Sequence, residues 1–163
     1  MEYNPYALTG KTILVTGASS GIGRAVAIEC SRLGAHVILS ARNKEKLEET
    51  LKMMEGHGHQ VIECDLSKEK EVSLLIDEVP EIQGLVNNAG TTMTVPVPFI
   101  KFNVLSDLLK VNTIAPIMIL SGLVKKKKLR ANSSVVFTSS VSGLGRVSPG
   151  NTMYAATKGA VST

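Results

Sequence analysis

Tyr154 and Lys158 stand four residues apart in Tyr154-Ala155-Ala156-Thr157-Lys158, a stretch of good helix formers, so both side chains leave one helix face together. A phenol in water gives up its proton only near pH 10, which makes it a poor acid–base group near neutrality unless its anion is stabilised. Shifting that threshold down by about three pH units takes about 4 kcal/mol. One ammonium about 4 Å away provides roughly that at an effective dielectric of 20. The pair suits a reaction in which an alkoxide gains or loses a proton as a carbonyl is reduced or an alcohol oxidised.

A second cluster suits a phosphate-rich ligand. Gly17, Gly21 and Gly23 fall in Thr16-Gly17-Ala18-Ser19-Ser20-Gly21-Ile22-Gly23, between a branched apolar run and a segment of helical spacing. A turn without side chains lets the backbone approach a pyrophosphate, and the following helix N-terminus brings free N–H groups and a positive dipole end. A nucleoside-triphosphate loop would need Gly-Lys-Ser/Thr where Gly23-Arg24-Ala25 stands. Further along, no acid occurs from Val37 to Lys44, and Ser40-Ala41-Arg42 closes the second apolar run. An acid there would bind a free ribose hydroxyl and repel a 2′-phosphate. Arg42 instead offers a charge-assisted contact of about 1.5–3 kcal/mol, so NADP(H) is expected ahead of NAD(H) by about ten- to a hundredfold.

The elements that must position these groups are legible as periodicity. Thr12 to Thr16, His36 to Ser40, Gln60 to Cys64, Leu85 to Asn87 and Ser134 to Thr138 read as buried strands. Helical segments lie between them. The first carries Ile22, Val26 and Cys30 four apart and stops at Gly34, the second begins near Asn43, and the third follows Ser67 with acids in its first turn. Alternating strands and helices require right-handed crossovers. The expected fold is α/β, a doubly wound, Rossmann-like parallel sheet of five strands in the order 3-2-1-4-5 with helices on both faces. The Gly/Pro/Thr-rich loops Thr91 to Pro98 and Gly143 to Thr152 follow strands, where this architecture places its ligands.

With 163 residues, 44% of them hydrophobic and 20% charged, the chain is expected to form one domain with a substantial core rather than a disordered segment. Cys30 and Cys64 sit in apolar runs and read as buried thiols of a reducing compartment, with the cytoplasm as the expected location. Met1 to Lys11 has no leader pattern. The longest apolar segment, Ile114 to Leu120, is broken by Pro116 and reads as too short for a bilayer, so no membrane is expected. The net charge of +4 comes largely from Lys125 to Lys128, read as a solvated helix end and not as a nucleic-acid surface. His57 and His59, among glycines and without a third ligand, read as loop residues; no metal is expected.

Pro116 bears on Asn112. In a continuous helix residue 116 would donate to the Asn112 carbonyl, but proline has no N–H, so that carbonyl would be left to hold a water on a proton path towards Lys158. An ordinary proline kink beside a buried asparagine is the alternative.

The ordered set Thr16 to Gly23, Asp65, Asn87 to Gly90, Asn112, Ser140, Tyr154 and Lys158 resembles the short-chain dehydrogenase/reductase family over nearly the whole chain. The resemblance implies an oxidoreductase moving hydride between nicotinamide and a carbonyl or secondary alcohol. It implies Tyr154 as proton donor or acceptor, Lys158 as its electrostatic partner and a nicotinamide-ribose ligand, Ser140 as hydrogen-bond donor to the substrate oxygen, and Asn112 as the water-holding residue. It also implies a cofactor site made by Gly17, Ser19, Ser20, Gly21, Ile22, Gly23, Ser40, Arg42, Asp65, Leu66, Asn88, Ala89 and Gly90, with Asp65 on the adenine. Ser140 lies fourteen residues before Tyr154, one more than is most common in the family. An extra residue in the loop Gly143 to Thr152 accounts for this. Neighbouring Ser139 is the alternative, although the pattern Ser140-Val141-Ser142-Gly143 favours Ser140.

The chain stops at Thr163, nine residues after Tyr154. It is expected to be a single dinucleotide-binding and catalytic domain over 1–163 that lacks the family's C-terminal substrate-binding elements, either a fragment or a chain completed by another. Two other expectations stand beside an active enzyme: a form that binds dinucleotide without turnover, and a partner that joins a full-length relative through the Tyr154 helix. The full-length form is expected to be a homodimer or homotetramer. A 3-oxoacyl thioester, a ketone or a sugar would each suit as substrate, and the apolar loop Thr91 to Pro98 leans towards a nonpolar one.

Overall fold

The structure describes residues 4–162; residues 1–3 and 163, which carry part of the expectations about the two chain ends, lie outside the described residues. In this computed structural model β1 (Thr12–Thr16), β2 (His36–Ala41), β3 (Gln60–Glu63), β4 (Ile82–Asn87) and β5 (Leu129–Phe137) form one sheet in the order β3-β2-β1-β4-β5. Every pairing is parallel, as the alternation of strands and helices requires. The helices are α1 (Gly21–Arg32), α2 (Lys44–Lys52), α3 (Glu69–Glu78), α4 (Phe102–Leu109), α5 (Ala115–Lys125) and α6 (Thr152–Gly159).

Side chains alternate across a strand, and β1 shows the result. Leu14 enters the core that holds Leu75 and Ile76 of α3 and Ile119 and Leu123 of α5, while Ile13 and Val15 enter the core on the opposite face with Ala27 of α1 and Leu47 of α2. Both faces of the sheet are therefore covered at β1, whose end remains open for a ligand.

The fully buried residues of α1 are Gly23, Ala27 and Ser31, while Val26 and Cys30 are partly buried against the same core. Ile22 is 66% exposed, and Cys30 is half-buried rather than enclosed. Gly23 is required because the helix start lies almost on the glycine turn: a Cβ added at Gly23 would sit 2.3 Å from the Gly17 carbonyl oxygen. Cys64 is buried, and its thiol is pushed up to about 12 by burial, then by the acids Glu71, Asp65 and Glu78. It is an inert side chain at neutral pH.

Pro116 does not break the apolar segment. Lys110–Ile114 forms a π-helical turn whose Ala115 N–H reaches back to the Lys110 carbonyl, and the proline falls in the first turn of α5, where its missing N–H costs little. Phe102–Lys125 is consequently one 24-residue helix, long and apolar enough by length and composition to cross a bilayer. The expectation that this segment is too short does not hold. Its buried positions, Leu108, Asn112, Ala115, Ile119 and Leu123, pack into this domain.

β4 and β5 start earlier than Leu85 and Ser134 because their first residues are irregular rather than alternating: the register shifts between Ile82 and Gly84, and Asn132 takes a φ of 62°. Among the described residues β5 pairs with β4 alone, so its outer edge is open.

The lysine run after α5 is also more than a solvated end. Lys128 Nζ donates to the carbonyls of Ile76 (2.9 Å), Asp77 (2.6 Å) and Val79 (2.6 Å). It thereby caps the C-terminus of α3, which has no basic residue in its own last turn. Lys126 pairs with Asp77 and Arg130 with Glu81 on the surface beside it. Lys128→Met is expected to destabilise the domain by about 1.5–3 kcal/mol, the worth of hydrogen bonds to a charged group. Urea unfolding would show this as a lower midpoint at unchanged slope; an unmoved midpoint would return the lysine to the solvated class.

Candidate cofactor and catalytic site

The ends of β1, β2, β3 and β4 surround a cleft of about 400 Å³. Gly17, Ser19 and Ser20 of the glycine turn form one wall, Ser40 to Asn43 and Lys46 the second, Cys64 to Leu66 the third, and Asn88 to Thr91 with Val111 the floor. Of the expected cofactor residues, Gly21, Ile22 and Gly23 do not line it. Gly23 serves the close contact described above, and Gly21, at φ 55°, turns the chain into α1.

Thr16, the last residue of β1 and the first of the glycine-turn motif, knots the turn to the floor. Its Oγ1 accepts from Asn88 N and Ala89 N (both 3.1 Å) and donates to the Val86 carbonyl (3.3 Å). Asn88 is held twice more, donating from Nδ2 to the Thr16 carbonyl (3.3 Å) and accepting from Thr138 Oγ1 (3.4 Å). A Cβ on Gly17 would stand 2.8 Å from Ala89 Cα, and Gly17 has a φ of 70°, so both space and backbone demand glycine there.

Three features of the cleft fit an adenine nucleotide carrying an extra phosphate. Ser40 Oγ is buried and has no partner, although Ser40 lines the cleft. Arg42 and Lys46 bring positive charge to the same wall, and Asn43 opens α2 by accepting from Lys46 N (2.7 Å) through Oδ1. Burial raises the Asp65 carboxyl, but hydrogen bonds from Ser67 N–H (3.0 Å) and O–H (2.8 Å) and the charges of Arg42 and Lys68 outweigh it, leaving the group below its ordinary value and ionised. Oδ1 is taken by Ser67, the Asp65 N–H donates to Glu71 Oε2 (2.6 Å) and the Asp65 carbonyl accepts from Lys68 N (2.9 Å), which leaves Oδ2 as the oxygen open to a ligand.

The catalytic candidates lie behind the floor. A Cβ on Gly90 would be 3.4 Å from Lys158 Nζ and 3.5 Å from Asn112 Oδ1, so only a glycine separates the cleft from both side chains. Lys158 is 4% exposed, and burial alone lowers the basicity of its ammonium. Its Nζ donates to the Thr138 carbonyl at the end of β5 (2.7 Å) and stands 6.0 Å from the centre of the Tyr154 ring.

Asn112 uses its whole side chain: Oδ1 accepts from Thr91 N (2.8 Å), and Nδ2 donates to the Thr91 carbonyl (2.8 Å) and Thr157 Oγ1 (3.0 Å). It fastens the floor loop to α6 across the π turn. Pro116 still brings no N–H to its carbonyl.

The two serines at the end of β5 separate clearly. Ser139 Oγ turns to α6, contacting Ser162 Oγ and donating to the Lys158 carbonyl (3.3 Å). Ser140 Oγ accepts from Ser142 N (3.2 Å) and keeps its proton available to donate. A Cβ on Gly143 would stand 2.7 Å from Gly159 N, so the short turn Val141–Gly143 docks directly on α6 and fixes Ser140 relative to Tyr154. The loops 91–98 and 143–151 are tied by Val95 N to the Gly150 carbonyl (2.8 Å) and by Thr94 Oγ1 to Asn151 Oδ1 (3.0 Å). His59 takes no part: Nδ1 accepts from Val37 N (3.1 Å) and Nε2 faces the Glu55 carbonyl (2.8 Å).

A family model described as short chain dehydrogenase matches residues 11–163. The 3-oxoacyl-[acyl-carrier-protein] reductase FabG of Rickettsia felis is 34% identical over 93% of this chain and 62% of its own length. The 3-ketodihydrosphingosine reductase of Mus musculus is 35% identical over 96% of this chain and 50% of its own. The chain therefore spans about half to under two thirds of the length of these curated relatives. Among solved structures, an NADP active-site complex of Pseudomonas aeruginosa RhlG superposes with a TM-score of 0.87 at 27% identity, covering 98% of this chain and 66% of that one. A family match over all but the first ten residues, on the strand order and glycine turn just described, makes the chain a member of the short-chain dehydrogenase family.

Proposed function

We propose that this chain forms the cofactor-binding and catalytic part of an NADP(H)-dependent oxidoreductase acting on a carbonyl or secondary alcohol. The observation that carries the reading is the glycine floor: Gly90 lines the cleft and has Lys158 Nζ immediately behind it. A dinucleotide in the cleft would lie over the lysine of the Tyr154–Lys158 pair. The cofactor, when bound, supplies or accepts the hydride. What remains for the protein is binding, proton transfer and exclusion of water.

Ser19 and Ser20 would hold the pyrophosphate by backbone amides, with the Gly17 amide kept on the Ser40 carbonyl (2.7 Å), Arg42 and Ser40 would hold the 2′-phosphate, and Asp65 and Leu66 the adenine. Tyr154 would exchange a proton with the substrate oxygen, Ser140 would donate a hydrogen bond to that oxygen, and Lys158 would stabilise the phenolate across the gap. With its side chain fully engaged, Asn112 has only its carbonyl for a water on the proton path. Met93, Val97, Phe99, Val141 and Leu144, exposed on the tied loops and the neighbouring turn, favour a substrate whose carbonyl sits on an apolar body. The relatives named above act, by their names, on a 3-oxoacyl group and on a ketosphingoid. A homodimer or homotetramer is the proposed assembly.

The test is a fluorescence titration with NADPH and NADH, followed by NADPH oxidation in the presence of 3-oxoacyl and long-chain ketone substrates. The expected result is NADPH binding at least tenfold tighter than NADH, with carbonyl-dependent oxidation. Binding without oxidation would leave a dinucleotide-binding protein, and folded protein that bound neither nucleotide would end the reading.

A further inference from the structure

The glycine turn is fastened from outside the cleft, through a residue with no part in the reading above. Arg24, directly after Gly23, donates from Nη2 to the Ser19 carbonyl (2.6 Å) and from Nε to Thr50 Oγ1 (3.0 Å). Thr50 is fully buried on α2, and its hydroxyl lies 3.0 Å from the Ala18 carbonyl and 3.0 Å from that of Lys46. One hydroxyl has one proton, so it serves one of those carbonyls at a time while its lone pair takes the Arg24 proton. Glu49 adds an ion pair to Arg24 at 3.3 Å, but with its side chain 57% exposed it contributes little.

The consequence follows from peptide geometry. A trans peptide is planar, with C=O and N–H pointing in opposite directions. Holding the Ala18 and Ser19 carbonyls towards Arg24 and Thr50 sets the N–H groups of Ser19 and Ser20 on the other side, and both residues line the cleft. Neither amide donates to a protein group among the described residues. An arginine is needed because its fork reaches two acceptors in fixed directions at once, which a lysine ammonium does not reproduce.

We infer that Arg24 and Thr50 form a clasp that pre-sets the Ser19 and Ser20 amides for the cofactor's pyrophosphate and couples that turn to α2, whose first turn carries Lys46 beside Arg42. The inference rests on the dinucleotide reading for its ligand, though not for its geometry. Arg24 is a positioning residue: it does not line the cleft. Preorganised donors bind more tightly because no ordering is left to be done on binding.

The test compares the wild-type chain with Arg24→Met, Arg24→Lys, Thr50→Val, Thr50→Ser and the Arg24→Met/Thr50→Val double variant. Arg24→Met and Thr50→Val are expected to weaken NADPH and NADH by a common factor of about ten while adenosine 2′-monophosphate, which has no pyrophosphate, keeps its affinity. Thr50→Ser should restore binding, Arg24→Lys should not, and the double variant should be no worse than the poorer single one, since the two side chains act as one unit. In unliganded protein the ¹⁵N order parameters of the Ser19 and Ser20 amides should fall from about 0.85 to below about 0.6 in Arg24→Met. Equal loss of adenosine 2′-monophosphate affinity, or order parameters that stay at the wild-type value, would overturn the clasp. If wild-type protein binds no dinucleotide, the cofactor reading falls by itself, and the order parameters alone decide whether the clasp holds the turn.

Discussion

Tyr154→Phe is expected to lower carbonyl-dependent turnover by about 10²–10⁴ while leaving NADPH affinity within about twofold. The phenyl ring keeps the packing of α6 and removes only the hydroxyl, so the whole effect should fall on the proton-transfer step and appear in kcat rather than in nucleotide binding. The surroundings of Tyr154 explain why the loss should be large. Lys158 stands 6.0 Å from the ring centre, and its Nζ is bonded to the Thr138 carbonyl rather than to the tyrosine. It therefore offers a fixed charge and no replacement proton in hydrogen-bond contact with the phenol. Ser140 has a proton to donate, but its oxygen already accepts from Ser142 N, which suits it to hold a substrate oxygen and not to act as the base. If turnover survives within a few-fold, the proton comes from elsewhere and the role assigned to Tyr154 is wrong. A parallel loss of NADPH affinity would mean that the substitution disturbs the site as a whole.

Arg42→Gln is expected to weaken NADPH by about ten- to a hundredfold and to leave NADH nearly unchanged, the signature of one lost charge-assisted contact to a 2′-phosphate. A competing outcome has a physical basis in the cleft. Arg42 is one of the charges that keep the Asp65 carboxyl below its ordinary value, after the two hydrogen bonds from Ser67. Were that its main service, NADPH and NADH would weaken together, because Asp65 lies on the adenine wall common to both. The ratio of the two affinities separates these cases, and a ratio unmoved by the substitution would remove Arg42 from the phosphate site.

The elements most legible in the sequence were those whose signals are local. β1 is bounded as expected because branched residues fill both faces and glycine follows at once; the parallel pairing follows from the alternation of strands and helices. The fully buried stripe of α1 was not legible, since Ile22, Val26 and Cys30 outrank Gly23, Ala27 and Ser31 in hydrophobicity. The close approach of the helix start to the glycine turn, which no periodicity encodes, requires the smallest of them, Gly23. The π turn escaped notice for a related reason: Pro116 is a helix breaker on a regular ladder, and only the five-residue loop-back from Ala115 to Lys110 renders it harmless.

At the site, Gly17, Ser19, Ser20, Ser40, Arg42, Asp65, Leu66, Asn88, Ala89 and Gly90 of the expected cofactor residues share one cleft, and Gly21, Ile22 and Gly23 lie off it. The residues that hold the site together were missed. Thr16, Thr91, Thr138 and Thr157 bind Asn88, Asn112 and Lys158 through a hydroxyl or a backbone group, and threonine carries no sequence signal that distinguishes such a knot from an ordinary strand or helix residue. Arg24 carried a faint one, a long cation directly after the glycine turn. The reading of Lys125 to Lys128 as a charge run also treated four lysines as equivalent, whereas Lys128 has three carbonyls to itself.

The open edge of β5 has a consequence for how this chain behaves in a crowded solution. A sheet border is a template, and what limits its copying is how far it departs from a flat strand. The first half of β5 is protected by Arg130, by the left-handed Asn132 and by the register shift opposite Ile82 and Gly84. The second half, Ser134 to Phe137, follows β4 in regular register and ends in Val135-Val136-Phe137. Self-association through this border would therefore begin at the end of the strand nearest Ser140, so that the first strand-to-strand contacts in any precipitate would close over the turn Val141–Gly143.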